Sequence, residues 1–450
     1  MLRLIFVSLI IAFGTRYALK GAFGALLLYL WIAYFRPHLW AHSSAIIGAL
    51  DLSLFAGVYL LVRSIASNGD RFRFDFRTLL LLIFIGLSFV STLLSTQSTY
   101  AWPFLVEFAK AIAVSYLLAV LVTDATKFRT ALLVIALSLG FEAAKQGWQQ
   151  LIFNPGGSNQ NPLPMLGDNN GVAVGMLMLV TLFLALAQTA QKQWEQWMHR
   201  FFLLGVTYRA IVTYSRGGFL AAAALGIVYI VRSKQRFRAA VGIAVVAMVI
   251  LPVLPQTFWD RMSTMKVTSE DQISDDSARS RLHFWRVATI MANQNPVFGV
   301  GYNAFNRTYD EYDTLNGRYG RGRSVHSMWF GVLAELGYPA LIVYITIMVM
   351  AVIGSGGVAN RAARGEIPKE FFYYGVAIQT AFAAGLVGGS FLPWQYTELL
   401  WHFVGLSMAL RWIALDPAHG VAAAAPERAR PLRVKTIFQP NPATRRARVS

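Results

Sequence analysis

Apolar runs close to the thickness of a lipid bilayer recur from one end of this 450-residue chain to the other. That feature decides the class of fold before any other. In hydrocarbon every backbone N–H and C=O must be satisfied inside the segment, so a spanning helix needs about 20 mostly apolar residues. The runs are continuous and do not alternate, which excludes a β-barrel. With 56% hydrophobic residues and a mean hydropathy of +0.48, the chain reads as an all-α polytopic membrane protein. Spans are expected near 20–36, 44–62, 78–95, 103–123, 129–150, 169–190, 200–214, 217–231, 238–255, 326–353, 371–390 and 398–415. That makes about 12, and a half-span near 2–13 is a further candidate.

The formal charge of +18 is parcelled among short loops, as in a protein that orients itself by the positive-inside rule, so nucleic acid is not an expected partner. Loops 63–77, 124–129, 191–200 and 232–238, and the one carrying Arg361, Arg364 and Lys369, are basic and alternate along the chain. All then lie on one side, the cytoplasmic one. The tail holds seven Lys and Arg from Glu427 to Ser450 and falls there too, without packing signals. The expected organisation is N-terminal membrane helices over 1–255, one large outer loop over 256–325, C-terminal membrane helices over 326–415 and a basic tail over 416–450. The large loop is nearly charge-balanced, with nine basic and eight acidic residues. The chain has no cysteine, which removes disulfides, thiol catalysis and Cys-ligated zinc. The N-terminal MLRLIFVSLIIAF resembles a signal h-region but lacks a small-residue cleavage site and reads as retained.

Against that background YSRGGF, Tyr214 to Phe219, stands out. Thirty-one residues from Phe201 to Val231 exceed one span and fall short of two full ones, so two short helices should meet at SRGG on the outer side. Arg216 is there on the wrong side for a topology signal. It is either a snorkelling side chain or an anion ligand, with Gly217 and Gly218 letting backbone N–H groups approach a phosphate. Arg209 lies in the same apolar stretch and is a further candidate contact. Lys110 and Lys145 lie toward the same face, each with a carboxylate three residues before it, Glu107 and Glu142, so local pairing competes with substrate binding. In the large loop, SARSRLHFWRVATIMANQNP reads as a helix starting after Asp276 or Ser277 and ending before Pro296. On its wheel Arg281 shares a face with Phe284, Trp285, Ala288 and Ala292, opposite Arg279, His283 and Arg286. A guanidinium on the buried face needs a partner, either a phosphate or a carboxylate such as Asp275 or Asp276. His326 opens the next span, after Arg318, Arg321 and Arg323. A helix N-terminus disfavours imidazolium and suits a proton acceptor beside an anion clamp. No metal-ligand spacing accompanies it, so neither metal nor other cofactor is expected. Trp102, Trp148, Trp329, Trp394 and Tyr396 near the outer edge suit interfacial anchoring or seating of lipid and sugar.

YSRGGFL, DDSARSRLHFWRVATIMANQNPVFGVGYNAF and HSMWFGVLAELGYPAL, in that order around one large loop, resemble the O-antigen ligase/polymerase superfamily. RPHLW, GFEAAKQG and GDNNGVAVGML resemble its O-glycosylation ligase branch, and the likeness runs from about Tyr34 to Ala414. The resemblance implies a GT-C-type, inverting, metal-independent glycosyltransferase of the bacterial inner membrane with a periplasmic active site; a monomer is the expected state. Its donor would be a glycan on undecaprenyl diphosphate. Its acceptor would be a lipid A–core hydroxyl in O-antigen ligases, a protein hydroxyl in protein O-glycosylation, or a second lipid-linked glycan in a polymerase. By the same resemblance Arg216 matches the arginine of the SRG motif, Arg281 that of the S-R-x-x-x-W motif, and His326 the histidine after the large loop. Lys145, Asp168 and Asn169 match positions typical of the branch without an assigned role. Arg209, Arg321 and Arg323 are further candidate substrate contacts. A transporter of polyprenyl-linked sugars is the non-enzymatic alternative. It would place substrate charges near the membrane midplane, whereas these gather toward the outer face.

Overall fold

The structure is a computed structural model, and it describes residues 2–40, 52–68, 72–263 and 276–416. The first part of the 44–62 expectation, Asp275 and the tail beyond residue 416 lie outside the described residues.

Helices account for the architecture: α1 (Leu2–Ala18), α2 (Ala22–Phe35), α3 (Pro37–Trp40), α4 (Leu52–Asn68), α5 (Phe76–Leu94), α6 (Ser98–Leu121), α7 (Ala125–Phe153), α8 (Asn169–Gln188), α9 (Gln193–Ile211), α10 (Arg216–Arg232) and α11 (Arg236–Ile250). The large loop holds α12 (Gln256–Ser263), α13 (Asp276–Gln294) and α14 (Phe305–Tyr312), and α15 (Met328–Ala363), α16 (Glu370–Gly389) and α17 (Glu398–Leu415) complete the chain. Among the described residues α5, α6, α8, α15, α16 and α17 are long and apolar enough to cross a membrane, and shorter apolar helices occupy 5–18, 22–35 and 52–66.

Several helices begin where a carboxylate or hydroxyl meets an orphan first-turn N–H. Asp75 accepts from Thr78 N (2.9 Å), Asp124 from Lys127 N (2.8 Å), and Asp168 from Asn170 N and Gly171 N (3.1 and 3.0 Å). The apolar faces then close on one another. α8 packs against α7, α9, α10 and α16, while α15 packs against α5, α13, α16 and α17. α8 and α17 are buried along most of their length, and Trp401 of α17 sits at the centre among Phe84, Phe108 and Tyr344.

Of the expected spans, 326–353 departs most from the structure. α15 runs on to Ala363, and Gly337 breaks it with φ 79° and ψ −177°. Only glycine adopts that conformation without penalty, and Pro339, just past the break, needs no N–H there. A break leaves carbonyls and an N–H without helical partners, and the chain following α13 supplies two donors and an acceptor. Val300 N donates to Ala334 O (2.9 Å), Gly301 N to Glu335 O (3.2 Å), and Tyr338 N to Pro296 O (2.9 Å). The loop is thereby stitched to the head of α15. Beneath it lies a small core of its own, made of Phe284, Val287, Ala288, Met291, Phe305, Tyr309, Val325 and Ala334.

Candidate functional site

The two short helices expected around SRGG are α9 and α10, with the turn 212–215 between them. Tyr214 holds φ 54° in that turn, and its hydroxyl donates to Gly156 O. Ser215 caps α10 by accepting from Gly218 N (3.0 Å) and donates its own hydroxyl to Asn170 Oδ1 (2.8 Å). Asn169 Nδ2 donates to Thr213 O (3.1 Å). The DNN sequence at the head of α8 therefore does two things: Asp168 caps α8, and the two asparagines hold the turn that presents Arg216.

The glycines need a different account from the one the sequence suggests. A Cβ on Gly218 would lie 2.7 Å from Ala173 Cβ, so this glycine lets α10 pack on α8, and its N–H is already given to Ser215. A Cβ on Gly217 would lie 3.5 Å from Phe391 Cβ, an ordinary contact. Phe391 is the hinge of the site's geometry, because the Arg281 guanidinium stands over its ring at 6.0 Å. The heads of α10 and α13 thus meet on one aromatic side chain from the loop after α16.

Arg281 is half-buried on α13, as the wheel anticipated, and its carboxylate neighbour is Asp168, which the sequence did not single out for that part. Burial pushes the Arg281 guanidinium below its ordinary range, and Asp168 opposes that. His283, expected on the polar face, is instead buried. Its Nε2 meets Asp313 Oδ1 at 2.7 Å, and Asp313 also accepts from Leu315 N and Gly317 N (3.0 and 2.6 Å). Burial alone would raise the Asp313 carboxyl, but these hydrogen bonds outweigh it and hold the group below its usual range. The pair pins the α14–α15 connection onto α13.

That connection ends in an irregular stretch, 323–327, that delivers His326 to the head of α15. His326 has φ 48°, a left-handed conformation that a non-glycine residue keeps only when its surroundings enforce it. Its ring lies 6.0 Å from that of Phe284, and the Arg323 guanidinium stands 5.8 Å from the same Phe284 ring. Burial first, then Arg281 and more weakly Arg323, push the His326 imidazole below its ordinary value, against a pull upward from Asp168. The lowering follows from burial and two arginines. The structure brings Arg281, Arg323, Asp168 and His326 into one electrostatic neighbourhood, adjoining Phe391 and the Arg216–Gly217 turn.

Other candidates stand elsewhere. Arg209 is fully buried and spends Nε on Gln146 Oε1 (2.9 Å), Nη1 on Asn159 O (3.0 Å) and Nη2 on Asn161 O (2.7 Å). It ties the 154–168 segment to α9, and the expectation of a substrate contact is dropped. Arg209→Met should therefore destabilise the fold by about 3 kcal/mol or more, since hydrogen bonds to charged groups contribute about 1.5–3 kcal/mol each. A thermal melt in detergent with the midpoint unchanged would refute this. Lys145 pairs with Glu142 (2.9 Å) and Lys110 with Glu107 (2.6 Å), the local pairings weighed from the spacing. Arg321 is exposed. Trp148 donates to Phe201 O (3.1 Å) and stacks on the Phe201 ring, and Trp329 donates to Ser390 Oγ (2.9 Å), so both have packing roles. Phe391 carried no sequence signal.

The fold defines the class as a multi-pass, all-helical membrane protein. Residues 201–345, which span the α10 turn, α13 and the head of α15, match the family described as O-antigen ligase, and residues 1–187 match a family of unknown function, DUF5935. The match over residues 201–345 supports membership of the O-antigen ligase/polymerase superfamily. No curated protein matches it.

Proposed function

We propose that this protein is an O-antigen ligase, transferring a glycan from undecaprenyl diphosphate to a lipid A–core sugar hydroxyl on the periplasmic side of the inner membrane. The observation that carries the reading is the gathering of Arg281, Arg323 and Asp168 about a backbone-strained His326, beside the turn bearing Arg216. Arg216 and Arg281 bind the diphosphate, and His326 is the general base. As the acceptor oxygen attacks the anomeric carbon, its proton passes to His326. The bond from that carbon to the phosphate oxygen breaks, and the electron pair leaves with undecaprenyl diphosphate. Attack opposite the leaving group inverts the anomeric centre. The bond broken is already activated, so ATP is not required.

The test is turnover by the purified protein in detergent with a lipid-linked donor and rough-type lipid A–core, without ATP. The expected product is linked lipopolysaccharide with the inverted anomer. Elongated lipid-linked glycan instead would make it a polymerase, a glycosylated protein would make it a protein O-glycosylation ligase, and translocation without covalent product would end the enzyme reading.

The site also predicts a pH profile. A base must be neutral to accept a proton, and the His326 pKa is lowered, so kcat/KM should stay level as pH falls through the ordinary imidazole range and decline only below it. Asp168→Asn keeps a capping side chain but removes the negative charge that favours imidazolium, so the acid limb should move to lower pH. Arg323→Ala should move it to higher pH. Limbs that coincide in all three proteins would separate His326 from the titration.

A further inference from the structure

A cavity adjoins the site. It has a volume of about 270 Å³, and its walls include Asn303, Asn306, Ser324, Glu335, Gln395 and Tyr396. Ser324 lies two residues before His326, so the cavity and the imidazole share the 323–327 segment.

The chemistry of its walls differs from that of the arginine side. No lysine or arginine lines it, and its one ionisable acid is Glu335, buried at the head of α15. Glu335 Oε1 accepts from Phe305 N and Oε2 from Gln395 Nε2, both at 3.2 Å, so the carboxylate ties two walls together. Gln395 is 2% exposed, and its Oε1 has no hydrogen-bond partner among the described residues. A buried acceptor left in that state calls for a donor. Tyr396, tilted against Tyr302 with ring centroids 4.2 Å apart, adds an aromatic surface. Neutral amides and hydroxyls around an aromatic surface, without a cation, suit an uncharged polyhydroxylated ring and give no purchase to a phosphate.

We propose that this cavity is the seat of the acceptor sugar, holding a neutral pyranose so that one hydroxyl is turned toward His326. The inference rests on reading His326 as the base and adds a division of labour. The donor diphosphate lies on the arginine side of the 323–327 segment and the acceptor ring on the Glu335 side.

Asn306 is exposed at the rim of the cavity, so Asn306→Trp narrows it without touching the core. The full-length protein in detergent would be titrated with core oligosaccharide released from lipid A by mild acid, and separately with undecaprenyl diphosphate. Loss of one well-placed sugar contact is expected to weaken oligosaccharide binding and raise acceptor KM about tenfold. Undecaprenyl diphosphate binding should match wild type, which also certifies the fold. If the tryptophan disturbs folding, Asn306→Ala is judged by the same two titrations. Equal oligosaccharide binding in variant and wild type overturns the proposal, as does a serine- or threonine-bearing peptide that binds there in place of the saccharide. Oligosaccharide binding that is sensitive to residue 306, in a protein that forms no linked product, upholds the sugar seat while defeating the ligase reading.

Discussion

His326→Ala is expected to lower kcat for transfer by about 10²–10⁴-fold, the usual contribution of a positioned proton acceptor, while the protein melts close to wild type. A non-glycine residue at φ 48° carries strain that alanine would not relieve, so the position persists because the α13–α15 frame holds it. The ring lies 6.0 Å from that of Phe284 and in the field of two arginines, which is an unfavourable setting for a charge and a suitable one for a neutral base. A histidine serving only as packing would give the opposite pattern on substitution: lower stability with turnover largely retained. Single-turnover assays with bound donor separate loss of chemistry from loss of binding. Turnover within a few-fold of wild type would remove His326 from the base role.

Much of this was readable in the sequence, for physical reasons that can be traced residue by residue. Two short helices fitted the 31-residue stretch around SRGG better than one span or two full ones, although α9 starts earlier, at Gln193. The buried face of α13 followed from 3.6-residue periodicity and correctly carried Arg281 inward. His283 escaped the same argument because its partner, Asp313, lies thirty residues on, and a wheel sees only its own helix. Arg209 was misjudged in a similar way. Its acceptors are backbone carbonyls of Asn159 and Asn161, which have no sequence signature as ligands. Phe391 and Glu335 illustrate the remaining gap: each gains its part by contact between segments far apart in the chain. The break at Gly337 lay in plain view as a Gly-Tyr-Pro triplet inside an apolar run, yet its consequence, the docking of residues 296–301, depends on tertiary structure.

Arg281→Ala is expected to reduce kcat by about 10²–10³-fold, comparable to removing one preorganised donor from a developing anion. Arg281 is positioned before any substrate arrives, by the stitched loop and the Phe391 ring, within the field of the Asp168 carboxylate, so little reorganisation accompanies the reaction. Charge accumulates on the diphosphate as the sugar departs, and a contact that strengthens at that point lowers kcat when lost, beyond any change in KM. Arg281→Lys keeps the charge and loses the planar fork, so it should recover only part of the rate. Arg216→Ala should act on the same leaving group, and the double variant should then fall short of the product of the two single losses, because both side chains serve one anion. The variants would be compared with a donor whose lipid carrier is short enough to dissolve, so that membrane partitioning does not mask kcat. Unchanged kcat in Arg281→Ala, with the protein folded, would mean that the guanidinium serves Asp168 and Phe391 alone and that the diphosphate binds elsewhere.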